Sequence, residues 1–229
     1  MNKKQKHSPN GRTMIVLVVD RSGSMMGWGN KYINAQNGIN KLLKEQNDGG
    51  YVIVKLVEFD NEVVTVEDHT RIENVKPYRL EPRGNTRLLD GLGKAIKDTK
   101  KYITKMGKNR RPDLVRIMIV SDGAENASRN YKIGPKPHGL RDQESEDILP
   151  LVKQAQDDGW HFSFMGEGYA VAEIGRKLGI EQSHAYKPGR DEEVYMASSS
   201  QITRMRNQSE CGMEVINEYT EEEIGWFAG

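Results

Sequence analysis

The chain of 229 residues has one cysteine, Cys211. No disulfide can form within it, which excludes a stapled secreted scaffold and fits a reducing compartment. Net charge is nearly absent as well: 34 Lys and Arg stand against 33 Asp and Glu, a formal +1. No global field draws the molecule to nucleic acid or to an anionic membrane, so neither is expected as a partner. Long hydrophobic runs are also missing. The longest, Met14 to Val19, is far short of the roughly 18 residues of a membrane span, and the opening MNKKQKHSPNGR lacks an apolar signal region. These absences predict a cytoplasmic protein, or one carried on a virus particle. With 36% apolar and 29% charged residues, the chain still has enough apolar content to bury a core.

What is present reads as alternating strands and helices. Met14 to Val19 is apolar throughout and mostly β-branched, the pattern of a strand covered on both faces of a parallel sheet, and it ends on Asp20. Ile33, Ile39, Leu42 and Leu43 then fall at helical spacing, with a stop at Asn47-Asp48-Gly49-Gly50. Tyr51 to Phe59 and Glu62 to Glu67 flank Asp60-Asn61, which predicts a hairpin and one antiparallel edge strand. Leu88 to Ile103 reads as an amphipathic helix, and Leu114 to Val120 repeats the buried-strand pattern before Ser121-Asp122-Gly123. A helix around Ile148 to Ala155, a strand from His161 to Met165, a helix from Ala170 to Leu178 and a short strand near Ala185 follow. The expected fold is α/β: a mainly parallel central sheet with helices on both faces and its ligand site beyond the carboxyl ends of the strands. Residues 1–12 read as a basic tail containing Lys3, Lys4 and Lys6. Residues 13–208 read as one domain, with a long exposed loop at 128–143, and 209–229 as an acidic and aromatic tail.

Three separated segments end at one edge of that sheet: Asp20-Arg21-Ser22-Gly23-Ser24, Gly84-Asn85-Thr86 and Ser121-Asp122-Gly123. In an extended loop, positions i, i+2 and i+4 share a face, so Asp20, Ser22 and Ser24 present a carboxylate and two hydroxyls to one point. Thr86 adds a hydroxyl and Asp122 a second carboxylate. All five are hard oxygen donors, which suits Mg²⁺ or Mn²⁺ and argues against zinc.

The segments DRSGSM, GNT and SDG resemble the metal-ion-dependent adhesion site of von Willebrand factor A (vWA) domains, and the likeness covers roughly Thr13 to Ile180. It implies direct metal contacts from Ser22, Ser24 and Thr86, with Asp20 and Asp122 completing the site directly or through water. Asn85 stands where that family often has Gly. Glu125-Asn126-Ala127-Ser128-Arg129, Phe164-Met165-Gly166 and Ala170-Val171-Ala172 also resemble small stand-alone bacterial and phage vWA proteins. The function implied is a metal-dependent protein-binding module whose bound cation accepts an Asp or Glu of a partner.

Two other classes stand beside it: a Mg²⁺-dependent phosphoryl-transfer enzyme and a structural component of a phage particle. Against the enzyme, haloacid-dehalogenase-like phosphatases carry a second Asp two residues after the nucleophile, and that position here is Ser22. The chain also has neither GxxxxGK[ST] nor GxSxG. Met25, Met26 and Trp28 either form a binding rim or pack the loop on the core. Arg21 and Arg87 either steer an acidic ligand or are solvated surface charge. His138 and His161 have no partner at ligand spacing and receive no metal role. The C-terminal Glu218, Glu221, Glu222 and Glu223 before Trp226-Phe227 suit a docking peptide, with head-to-tail self-association as one expectation and packing on its own domain as the other.

Overall fold

The computed structural model describes residues 11–26, 31–122, 125–134, 145–167, 169–186 and 190–228. Strand β1 (Arg12–Asp20) has every residue after Arg12 buried. Its alternate side chains feed two separate cores, with Met14, Val16 and Val18 on one face and Ile15, Leu17 and Val19 on the other. Helix α1 (Lys31–Gln46) leads to the hairpin of β2 (Tyr51–Phe59) and β3 (Val63–Arg71). Helix α2 (Leu88–Lys105) precedes β4 (Leu114–Val120), a strand with every residue buried. After the two-residue strands β5 (Tyr131–Lys132) and β6 (Glu146–Asp147) come α3 (Leu149–Asp157), β7 (His161–Glu167), α4 (Tyr169–Lys177) and β8 (Ser183–Tyr186). The chain then forms α5 (Asp191–Glu210) and α6 (Glu221–Ala228).

The main sheet has the order β3-β2-β1-β4-β7-β8. All neighbours are parallel except β3, which runs antiparallel at the edge. Leu88 to Ile96 of α2, Val152 of α3 and Val171 of α4 pack on one face; Ala35 to Leu43 of α1 and Val194 to Ile202 of α5 pack on the other. Both faces of β1 and β4 are therefore covered, which is why their sequences are continuously apolar rather than alternating. From β1 the chain turns to β2 on one side, and from β4 it turns to β7 on the other. The switch point between β1 and β4 is where open α/β sheets form crevices at their carboxyl ends.

Three expectations change, and of the two held for the C-terminal segment one is observed. Arg12 belongs to β1, so the domain starts within the stretch read as a basic tail; Lys3, Lys4 and Lys6 lie outside the described residues. The stretch read as a loop at 128–143 carries β5, with Tyr131 buried, and β5 pairs in parallel with β6 just beyond that stretch, while residues 135–144 lie outside the described residues. A 20-residue helix, α5, fills a region that gave no helical signal. Finally, the C-terminal segment is packed on its own domain. Tyr219 is buried with its hydroxyl 3.1 Å from Ser198, Glu223 is held by Arg204 at 2.8 Å, and Trp226 packs beside the α1/α5 core. Thr220 and Glu223 cap α6 reciprocally, the Glu accepting the Thr N–H at 2.8 Å and the Thr hydroxyl accepting the Glu N–H at 3.2 Å. The side chain of Phe227 lies outside the description.

Candidate metal centre

The three motif segments meet at the switch point. Asp20 is the last residue of β1, and its side chain is completely buried. Its Oδ1 accepts the Ser22 N–H at 2.7 Å and its Oδ2 accepts the Ser121 hydroxyl at 2.6 Å, so the end of β4 grips the end of β1. The loop after Asp20 is not extended. Gly23–Met26 form a 3₁₀ turn, yet the Ser22 and Ser24 hydroxyls still lie 2.8 Å apart, because the tight turn brings them together as an extended strand would by alternation. The Gly23 N–H donates to the Gly84 carbonyl at 3.0 Å and the Arg83 N–H to the Arg21 carbonyl at 2.7 Å, which docks the Thr86 loop against the Asp20 loop. Gly84 has φ +70, a left-handed conformation that favours glycine. The Asn61 side chain packs against it and accepts the Asn85 N–H at 3.0 Å.

The electrostatics follow from burial. Desolvation pushes the Asp20 carboxyl up to about 6; hydrogen bonds from Ser121 and Ser22 oppose the shift, and the nearby Asp122 carboxylate adds to it. Negative charge from two carboxylates thus gathers at the β1/β4 crevice. Thr86 is 2% exposed, and its hydroxyl has no hydrogen-bond partner among the described residues. Ser24 opens to solvent. Two crowded carboxylates, paired serine hydroxyls and a threonine hydroxyl without a partner fit a hard divalent cation, which would supply the positive charge the pair lacks. Among the described residues there is no metal-holding group of three or more His, Cys, Asp or Glu, which sets the donor chemistry apart from a zinc centre.

Neighbouring charges are structural. Arg21 is 13% exposed and is spent on Glu58 at 2.9 Å and Asp60 at 3.0 Å, with Arg83 on the same Asp60 at 2.7 Å. Arg87 is 15% exposed, and its Nε donates to Asp90 at 2.9 Å. Neither the steering role nor the solvated-charge reading describes these two arginines. Met25 is buried and packs the loop on the core, while Met26 is 59% exposed at the rim; Trp28, Gly123 and His138 lie outside the described residues.

Sequence reasoning assigned no role to the residues that hold this arrangement. Asn126 Oδ1 accepts the Thr86 N–H at 3.0 Å, and the N–H groups of Asn126 and Ala127 return to the Thr86 carbonyl at 3.2 and 3.0 Å. The Asp90 carboxylate accepts the N–H groups of Arg129, Asn130 and Tyr131 at 2.9, 2.9 and 3.1 Å. Gly166 lets β7 approach: a Cβ there would lie 1.7 Å from the Ser121 carbonyl oxygen. These partners are separated by 39 to 45 positions in sequence, so local spacing carries no sign of them.

Solved structures with a similar fold come from several sources. The von Willebrand factor type A protein from Catenulispora acidiphila matches at 14% identity and TM-score 0.60, over 85% of this chain and 43% of that one. The PilB minor pilin from Streptococcus sanguinis matches at 16% and 0.56, over 90% and 63%. The vWF domain of the type V pili tip protein Mfa5 from Porphyromonas gingivalis matches at 14% and 0.58, over 93% and 99%. The chain has the vWA fold. It spans less than two thirds of the first two proteins but nearly all of the Mfa5 domain. No family model matches the sequence, and no curated protein matches it. Within this vWA fold, the candidate donors sit where β1, the α2 entry and β4 converge.

Proposed function

We propose that this vWA domain is a protein-binding module in which Mg²⁺ or Mn²⁺, held by Asp20, Ser22, Ser24, Thr86 and Asp122, accepts an Asp or Glu carboxylate from a partner protein. The observation that carries the reading is the convergence of three strand-end segments on the buried Asp20, fixed by the Ser121–Asp20 and Gly23–Gly84 hydrogen bonds. With three hydroxyls among five donors, a bound dication keeps excess positive charge that a partner carboxylate can meet. That contact would sit at the centre of an interface, with exposed Met26 and Asn85 at its rim. The pilin and pilus-tip neighbours fit a role in protein contacts.

The reading is non-enzymatic. Nearby carboxylates are engaged: Glu58 and Asp60 by Arg21, Asp90 by Arg87, and Glu125 by backbone N–H groups. None is placed as a general base. We assign the protein to the cytoplasm or to a virus particle on the strength of its single, exposed cysteine. Among the described residues no helix is long and apolar enough to cross a membrane.

Calorimetric titration with Mn²⁺ tests the site. The wild type should bind one ion, and Asp20→Ala should weaken binding at least tenfold while keeping a cooperative thermal transition. Unchanged Mn²⁺ affinity in Asp20→Ala would overturn the assignment.

A further inference from the structure

Helix α2 begins immediately after the Thr86 loop, yet nothing in that loop caps it. Its N-cap position is Arg87, whose side chain makes no capping hydrogen bond. A helix start leaves N–H groups without partners, and the N-cap side chain ordinarily takes those two or three positions in. In α2 these are the N–H groups of Leu89 and Asp90. Glu125 Oε2 accepts the Leu89 N–H at 3.0 Å, and Ser128 Oγ accepts the Asp90 N–H at 3.2 Å. The cap is thus supplied in trans by the segment that follows Asp122. Glu125 is fully engaged in this cap. Its other oxygen accepts the Ala127 N–H at 3.2 Å and the Ser128 N–H at 2.9 Å, and Oε2 also accepts the Ser128 hydroxyl at 2.8 Å.

We infer that Glu125 is a positioning residue for the metal centre, holding the Thr86 and Asp122 donors in register by capping α2 from outside. The inference rests on the metal-site reading proposed above. Two consequences follow from the cap. Thr86 is relieved of satisfying the helix start, which leaves its hydroxyl available for an ion. The segments carrying Thr86 and Asp122 also become one unit, because Glu125 ties the second to the first turn of the helix that carries the first. Asn126 completes the tie at the Thr86 backbone. Without Glu125, the Leu89 N–H loses its acceptor. Glu125 acts through these contacts, since donors from the helix and from its own loop occupy both of its oxygens.

The test compares wild type, Glu125→Ala and Glu125→Gln by Mn²⁺ calorimetry, with thermal midpoint and amide hydrogen exchange recorded on the metal-free proteins. Glu125→Ala should weaken Mn²⁺ binding tenfold or more and speed exchange of the Leu89 amide. Glu125→Gln keeps one acceptor oxygen but turns the other into an NH2 group that meets N–H donors, so it should bind Mn²⁺ at least about threefold more weakly than wild type. A purely structural role would lower the midpoint without changing the affinity of the folded fraction. Glu125→Ala binding Mn²⁺ within twofold of wild type would overturn the inference. A wild type that binds no Mn²⁺ would instead overturn the metal-site reading itself. If Glu125→Ala is unfolded, the Gln variant's affinity decides, and Glu125→Gln binding Mn²⁺ within twofold of wild type overturns the inference.

Discussion

Arg116 offers the sharpest test of how the C-terminal segment belongs to the domain. It lies in the middle of β4 and is completely buried, and among the described residues it makes no ion pair. Its guanidinium is held by neutral acceptors: the Phe162 carbonyl, Gln201 of α5 and Asn217 in the stretch between α5 and α6. Burial holds its pKa below the usual arginine value. Removing one acceptor leaves a donor of a buried cation without a partner, a loss on the order of 2–4 kcal/mol. Asn217→Ala should therefore lower the thermal midpoint by on the order of 10 °C, at about 2–4 °C per kcal/mol for a domain of this size.

The same substitution made in an Arg116→Met background removes only the Asn217 amide's bond to the Phe162 carbonyl, at 3.2 Å. That should cost about 1 kcal/mol. A double-mutant cycle by urea unfolding should then give a coupling of at least about 1.5 kcal/mol. Equal costs of Asn217→Ala in the two backgrounds would refute the idea that the C-terminal segment is retained by solvating a buried arginine.

Other outcomes follow from the same structure. Burial, and then the charge of Arg116, push the His161 imidazole down to about 4. The unfolded chain takes up that proton near pH 6.5 and the folded chain does not, so the stabilisation is complete above pH 6.5 and is lost as pH falls toward 4. By pH 5 the loss should be about 2 kcal/mol, read as the difference between wild type and His161→Gln in urea unfolding at pH 7.5 and 5. Equal pH dependence in the two proteins would refute it. Gly166→Ala should displace Ser121, because the added Cβ would overlap its carbonyl oxygen; the expected result is a loss of at least about 2 kcal/mol together with weaker Mn²⁺ binding, and a stable variant with unchanged metal affinity would contradict it. Ending the chain at Glu218 should destabilise the domain rather than dissolve an oligomer, since Tyr219, Glu223 and Trp226 all pack on it. Light scattering and thermal unfolding of the truncated chain distinguish the two.

The contrast between β4 and α5 explains what could be read in advance. β1, β2 and β4 announced themselves because strands buried on both faces must be apolar nearly throughout. The convergence of the three motif segments was legible for a related reason: they adjoin the ends of such strands, where topology alone sends them to one edge. Helix α5 was illegible because polar residues make up half of its buried face. Ser198, Ser199, Gln201, Arg206 and Ser209 are buried, so the apolar period that marks a helix is broken. Gln201 meets Arg116 on the sheet, while Arg206 reaches the side chains of Gln46 and Asp48 at 3.2 and 2.9 Å. One arginine inside an otherwise apolar strand therefore demands polar partners on the element that covers it. The trans cap of α2 escaped for a parallel reason. A helix opening Thr86-Arg87-Leu88-Leu89-Asp90 has a poor N-cap at Arg87, a deficit written in the local sequence. Its remedy, Glu125, lies 36 residues downstream of Leu89, so only the fold shows that the deficit is filled.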